Sequence, residues 1–263
     1  MNLYLKLMGR SIRNSFSAAA GFRANFIISF VTSIGWISVS FLMIGIVFSN
    51  TNSLLHWSRA EAFAVFGLYE LLDGLISMFF WDGIAMVPLL IRDGSMDYIV
   101  TKPVDSQFQV SIKQFRLASI SEIGTGVIIL IYAFGIGGFH VQAINVFYTL
   151  IMFIAAMVLY YSIASIAVTL NFWFIRLENM SMLLMMSVIM ARYPLDVFTG
   201  LMQKFVFYVL PLAFLATVPA IVLFNKANPI PWVLGAVVLA TVFFCISRIL
   251  WLAGVKSYSS ASS

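Results

Sequence analysis

The sequence predicts an all-α, polytopic membrane protein, and three observations carry that prediction. Charge is scarce: 62% of the residues are hydrophobic and 10% are charged, against about 25% charged in an ordinary soluble domain. Charge is also missing over long stretches, with no Asp, Glu, Lys or Arg in residues 24–58 or 123–175. A bilayer-spanning helix needs about 20 apolar residues, so the second stretch has room for two spans and a turn. Third, residues 92–116, RDGSMDYIVTKPVDSQFQVSIKQFR, gather four of the 15 Lys and Arg and three of the 10 Asp and Glu. Lipid cannot solvate such a segment, so it marks where the chain meets water and where a soluble partner would dock.

The elements follow in order. Residues 1–23 precede any full span. Leu3, Leu7, Ile12 and Phe16 can share an apolar side while Lys6, Arg10, Arg13 and Arg23 supply charge. This predicts a helix lying in the interface, held by apolar burial and by attraction to anionic membrane lipid. Residues 25–48 form the first span, with Ser29, Ser33, Gly35, Ser38 and Gly45 allowing close helix packing. SNTNSLLHWSR then makes a short polar loop.

The second span, Ala62–Ile91, carries Glu70, Asp73 and Asp82. Carboxylates at membrane depth are costly and are functional candidates by default. Glu70 and Asp73 are three residues apart and share a helix face with Gly74 and Ser77. They either bond neighbouring groups along a packing seam or vestibule, the favoured reading, or line a substrate or proton path. Pro88 bends or weakens the last turns.

In the charged segment, Asp93-Gly94 signals a turn in which Gly94 can take a positive φ. Residues 95–100 form a short helix that ends at Lys102-Pro103, because the residue before proline disfavours the α region. A short helix set across the chain between two spans is shaped to carry force sideways. Residues 105–116 lead into span three, about Leu117–Gly138, where Gly124, Gly126, Gly135, Gly137 and Gly138 supply close-approach surfaces. Span four covers about Val146–Leu170, with Trp173 as an interfacial anchor. Arg176 and Glu178 mark the return to the cytoplasm.

Residues 179–190 are too short to span and become long enough only by continuing through Arg192 and Pro194 to about Phe198. The apolar run 205–224, interrupted by Pro211 and Pro219, reads as a full span, giving seven crossings. It also reads as a re-entrant pair of short helices within an outer elbow at 199–230, giving six. Trp232–Ala253 is the last span. Six crossings with both termini inside put Lys6, Arg10, Arg13, Arg23, Arg92, Lys102, Lys113, Arg116, Arg176, Arg248 and Lys256 in the cytoplasm. Only Arg59, Arg192, Lys204 and Lys226 remain outside, the bias that the positive-inside rule requires.

Several function classes find no support. The net charge of +5 is scattered and topological, so no nucleic acid is expected as a partner. Cys245 is the single cysteine, which excludes an intramolecular disulfide and a multi-cysteine metal site. No cleavable signal peptide is evident. There is no G-x-x-x-x-G-K-[ST] phosphate loop, no H-E-x-x-H and no G-x-S-x-G. His56 and His140 read as solvated residues of external loops, and the methionines between 180 and 190 as a packing helix. No catalytic, cofactor or metal residue can be named, and the chain is not expected to be an enzyme by itself.

The residues also carry a likeness. I-x-x-G-x-x-D at Ile91, Gly94 and Asp97 is followed by Lys102-Pro103, then RYPLDVFTG at 192–200. VLPLAFLATVPA at 209–220 and Tyr258-Ser259-Ser260-Ala261 complete the series. In this order they resemble the permease subunits of bacterial ABC transporters of the ABC-2 exporter type, in the branch of permeases of about this length often encoded as pairs beside an ATPase. The resemblance covers essentially the whole chain, as one transmembrane permease domain over residues 1–263. It implies six helices, an N-terminal interfacial helix, a coupling helix between spans two and three, and a re-entrant elbow before span six. It further implies a cytoplasmic ATPase dimer that binds ATP and Mg, a second permease subunit (identical or paralogous), and the bacterial inner membrane as location. Ile91, Gly94, Asp97, Tyr98, Lys102 and Pro103 would form the coupling site. The competing expectation from another class is a gradient-driven secondary transporter that uses Glu70 and Asp73 as a proton relay.

Overall fold

The computed structural model describes residues 2–21, 23–49, 51, 53, 54, 56–139, 141–174 and 186–258. It is all-α apart from one two-stranded hairpin, β1 (Ser53–Leu54) and β2 (Trp57–Ser58). Among the described residues, five helical stretches are long and apolar enough to cross a membrane.

Helix α1 (Asn2–Gly21) precedes α2 (Arg23–Ser49), the first span. Leu5 and Phe16 stay exposed, leaving apolar side chains available to lipid as an interfacial helix requires. The charged segment 92–116 is tied to α1: the Phe115 N–H donates to Ser15 Oγ at 2.9 Å, and the Tyr4 ring meets the Phe108 ring edge-on at 5.0 Å. Helix α2 buries Ile37, Ile44 and Phe48 against the bundle and exposes Val31, Trp36, Leu42 and Ile46.

Helix α3 (Arg59–Ile76) is the axis of the bundle. Ser58 and Glu61 start it as a capping box: the Glu61 N–H donates to Ser58 Oγ, and the Ser58 N–H donates back to Glu61 Oε2. Phe63, Phe66, Tyr69, Leu72 and Ile76 are fully buried. The span then continues to Arg92 in pieces: a π turn at Ser77–Trp81, α4 (Asp82–Ala85) and α5 (Val87–Arg92). Pro88 lies in the first turn of α5, where its missing N–H costs nothing. It therefore restarts the helix instead of merely bending it.

Two short helices follow in the charged segment, α6 (Asp97–Val100) and α7 (Ser106–Ser111). The expected helix over 95–100 is thus shorter at its start, because Asp93 and Ser95 close a turn ahead of it. The segment returns through a 3₁₀ turn at Leu117–Ser119 into α8 (Ile120–Gly137). Helix α9 (Ala143–Thr169) follows, ending in a 3₁₀ turn at Leu170–Phe172. Arg176, Glu178, the methionines at 180, 182 and 185, and Ser259 to Ala261 lie outside the described residues.

The chain resumes with a helical turn at 186–188 and a 3₁₀ turn at Ile189–Arg192. Tyr193 then takes an extended conformation, as a residue before proline must. The helix expected to run on to Phe198 therefore ends at Arg192. Between 199 and 230 the backbone is a broken pair of short helices, α10 (Gly200–Lys204) and α11 (Thr217–Leu223). A π turn at Phe205–Val209 and a 3₁₀ turn at Leu212–Phe214 lie between them. Residues 211–220 are all buried, so this irregular backbone is surrounded by protein, the condition for tolerating it at membrane depth. Helix α12 (Pro229–Ser257) is the last long helix, and its buried face, Ala236, Ala240, Ser247 and Trp251, packs on α9.

Close approach of α3 and α8 depends on fewer glycines than expected. A Cβ on Gly126 would meet Leu71 N at 2.7 Å, and one on Gly74 would meet Ile123 N at 2.8 Å. Gly124 and Gly135, by contrast, face open space, and Gly138 serves as the left-handed cap of α8 at φ 57°. Because the obstructing atoms at Gly126 and Gly74 are backbone, they cannot turn aside. Gly126→Val should lower the midpoint of thermal unfolding in detergent by the equivalent of about 1–3 kcal/mol. Gly124→Val should leave the core undisturbed. Equal melting of the two variants would show that the seam is not where the bundle is tight.

Candidate functional site

Two regions concentrate polar chemistry, one inside the bundle and one at the charged segment. Inside the bundle, Glu70 and Asp73 do share a face of α3. Glu70 sits about 16 Å along the helix from Arg59, at 1.5 Å per residue, and is only 1% exposed. Each carboxylate has a protein partner. Arg192 Nε lies 3.2 Å from Glu70 Oε1, and the Tyr160 hydroxyl donates to Asp73 Oδ1 at 2.7 Å. Arg192 also donates to Ser40 Oγ of α2 and places its guanidinium 5.4 Å from the centre of the Tyr69 ring. These partners come from α2, α3, α9 and the 189–192 turn, so one polar cluster ties four separate parts of the chain.

Sequence reasoning placed Arg192 on the outer surface as a topological marker. That reading is corrected: Arg192 is mostly buried, with its side chain 17% exposed, and it neutralises Glu70. The signal that could have found it is the pair of intramembrane carboxylates, which demand a cation inside the protein. Two adjoining cavities of ≈ 560 and ≈ 300 Å³ share Asp73, Arg116, Glu122 and Arg192 in their walls. The arrangement can hold water or a polar group within the bundle. What the distances favour is the first of the two readings of Glu70 and Asp73, groups bonded to neighbours beside a vestibule.

At the charged segment the candidate residues divide by role. Ile91 is buried together with Met96 and Ile99, and these three anchor the segment in a cluster with Val168, Phe172 and Trp251. Gly94 takes φ 76°, a conformation that favours glycine. The Asp93 carboxylate accepts from the Ser95 hydroxyl and from its N–H at 2.9 Å; these bonds hold its pKa below the usual carboxylate range. Tyr98 is 75% exposed, and Lys102 and Pro103 also face outward. Asp97 is half-buried beside Tyr258, whose hydroxyl pKa is raised by burial and then by that carboxylate.

Sequence reasoning missed the way this segment is held. Asp105 caps α7 by accepting from the Phe108 N–H at 2.9 Å, and it also pairs with Arg248 of α12. Gln107 is buried and donates to Ser165 of α9 at 3.0 Å and to Ser247 of α12 at 3.1 Å, while its carbonyl accepts from Arg248 at 3.1 Å. Trp251 Nε1 donates to Ser106 Oγ at 2.9 Å. The available signal was Arg248 itself, a lone charge within an apolar helix.

A third polar group joins the loops at the opposite end. Trp57 Nε1 donates to both oxygens of Asp196, and Lys226 pairs with Glu61 at 2.9 Å while lying 4.5 Å from the centre of the Trp57 ring. His56 keeps an exposed side chain, as expected, and its Nε2 lies 2.7 Å from Asp196. His140 is outside the described residues. Among the described residues, no cluster of His, Cys, Asp and Glu could hold a metal ion.

Residues 34–262 match the family model described as ABC-2 family transporter protein. No curated protein matches the chain.

The Glu70–Arg192 geometry makes a direct prediction. Removing one partner of a buried pair leaves an uncompensated charge, which costs about 3–5 kcal/mol, whereas replacing both with apolar residues is often neutral. Arg192→Met should therefore lower thermal stability strongly, and Glu70→Leu with Arg192→Met should restore most of it. Melting curves by size exclusion after heating would decide. A double variant no better than the single would mean that the charges do more than neutralise each other.

Proposed function

Because this multi-pass membrane protein belongs to the ABC-2 family of transporters, we propose that it is the transmembrane subunit of an ATP-driven exporter. In this reading the charged segment is the coupling site for a separate cytoplasmic ATPase dimer, which binds ATP and Mg. The observation that carries the reading is the two-sidedness of that segment. Ile91, Met96 and Ile99 root it in the bundle, while Tyr98, Lys102 and Pro103 face away from it. Such a surface can be pushed by a partner without unfolding. The energy must come from that partner, since the chain has no phosphate loop.

The remaining parts follow the same reading. A second permease, identical or paralogous, would cover part of the apolar face of α2 and complete the path. The chain would act as one transmembrane unit in a bacterial cytoplasmic membrane, with both termini inside. Six crossings are reached if the stretch from 179 to about 198 crosses, with the broken pair at 199–230 re-entering from the outer side. In support, that pair has the short, proline-interrupted form of a re-entrant elbow.

The gradient-driven alternative rests on the cavities bordered by Asp73, Glu122 and Arg192. It requires transport by the chain alone in sealed vesicles under a proton gradient, abolished by Asp73→Asn.

The exporter reading is tested by mild-detergent purification from the native host with a C-terminal tag. An ATPase and a second permease should copurify in a four-subunit complex, and a lone stable permease would overturn the reading. Within the complex, Asp97→Arg and Lys102→Glu should each cut the permease's effect on ATP hydrolysis about five- to tenfold, in the range of ordinary coupling energies. Membrane insertion should persist. Unchanged hydrolysis in both variants would remove the segment from the coupling role.

A further inference from the structure

The sequence neighbours of the charged segment are spans two and three, yet its polar side chains are bonded elsewhere. Asp105, Ser106 and Gln107 reach Arg248, Trp251 and Ser247 respectively, and Gln107 adds Ser165 of α9. Residues 247 and 251 are four apart, 258 follows after seven, and 248 adjoins them, so these positions form one stripe of α12 and its end. Tyr258 prolongs the stripe beside Asp97. The Trp251 and Tyr258 rings both pack edge-on against Phe172, which closes α9, at 5.6 and 6.0 Å.

Resting on the exporter reading above, we propose that α12, with α9 packed on it, is the element that the coupling segment drives. Arg248 is the positioning residue that fixes the segment to it. Three successive side chains of the segment hold one helix face, so a displacement of the Tyr98 surface cannot be taken up by sliding at this junction. Gln107 is 5% exposed and has both its amide donors and its carbonyl engaged. Breaking any one of these bonds leaves a buried polar group unmet.

The Arg248–Asp105 pair is partly exposed and borders a cavity of ≈ 530 Å³, whose other walls include Phe80, Ile154 and Phe244. Asp105 is the one carboxylate among the residues lining that cavity, so Arg248 has no second acid there to switch to.

Helix α12 is 29 residues long, about 43 Å at 1.5 Å per residue. Its far end meets the irregular outer segment through Trp232 and Phe214, whose ring centres are 6.0 Å apart. A stiff helix fastened at one end to the coupling surface and at the other to the broken pair 199–230 carries a push from one membrane face to the other. Span two fits this role less well, because it is interrupted by the π turn and by the restart at Pro88 before it reaches the segment.

The test separates the fastening from the exporter reading by using the permease alone and in complex. Spin labels go on Tyr98→Cys and Leu252→Cys in a Cys245→Ser background, and their distance distribution is measured in the isolated permease. Arg248→Glu should broaden that distribution, and adding Asp105→Arg should narrow it again. In the ATPase complex, Arg248→Glu should leave copurification intact and lower the stimulation of hydrolysis about fivefold. The exchanged pair should recover part of the loss, because it restores the ion pair and leaves the α7 cap and the bond to the Gln107 carbonyl unmade.

A merely structural defect would not be repaired by the charge exchange. An unaltered distance distribution in Arg248→Glu, or an exchanged pair that recovers neither readout, overturns the proposal. If no ATPase copurifies with the unmodified permease, the exporter reading fails, and the distances still decide whether the segment is fixed to α12. Should Arg248→Glu not insert, Asp105→Asn takes its place in both measurements with the same expected loss.

Discussion

Hydrocarbon offers no hydrogen bonds, so every polar group that this chain takes into the membrane must be met from within the protein. The pairing of Glu70 with Arg192 is where that constraint acts most strongly. Arg192 lies in a 3₁₀ turn, and Tyr193 and Pro194 prevent the helix from continuing. The turn is positioned so that the guanidinium reaches α3, the Tyr69 ring and Ser40 at once. Asp196, four residues on, holds Trp57 and His56 of the loop that leads into α3. One irregular stretch thus fixes both the middle and the outer end of the central helix.

The same constraint explains the other departures from regular helix. The backbone between α10 and α11 is broken by Pro211 and buried from there to α11, and Thr217 Oγ1 accepts from the Leu195 N–H at 3.0 Å. A side chain of the broken pair thus satisfies the backbone of the turn that follows Arg192. Directly after α3, the π turn precedes a close approach of Gly83 to the Val110 carbonyl. The interruption lets the charged segment fold back against the span it came from. These interruptions occur where another part of the chain comes near enough to supply partners.

What could be read from the sequence was whatever lipid imposes one residue at a time. The positions of four long helices followed from where charge is missing, that of span two from its apolar length despite Glu70, Asp73 and Asp82, and the turn at Gly94 from local backbone chemistry. Pairings between distant residues left no such trace. Nothing local distinguishes Arg192, a buried partner, from Lys226, which tops the structure over Trp57; both are isolated cations between apolar runs. The glycines of α8 look alike in sequence, yet only Gly126 among 124, 126 and 135 meets backbone. Its face is set by the packing angle of α3, which no local pattern encodes. Arg248 counted toward the charge bias and gave no hint of Asp105, because the two meet only through the fold.

The two charge pairs also differ in a way that suits different tasks. Glu70–Arg192 is largely buried, with several supporting contacts, and separating it would leave two charges with little solvent to meet them. It therefore behaves as a fixed point. Arg248–Asp105 is about one-third exposed on each side, so solvent weakens its attraction, and the junction draws the rest of its hold from buried Gln107 and from the Trp251–Ser106 bond. The buried pair ties α3 to the turn at 189–192, and the more exposed pair ties the charged segment to α12 together with Ser106 and Gln107. Neither junction is a sliding contact, so a displacement of the charged segment passes on to α12.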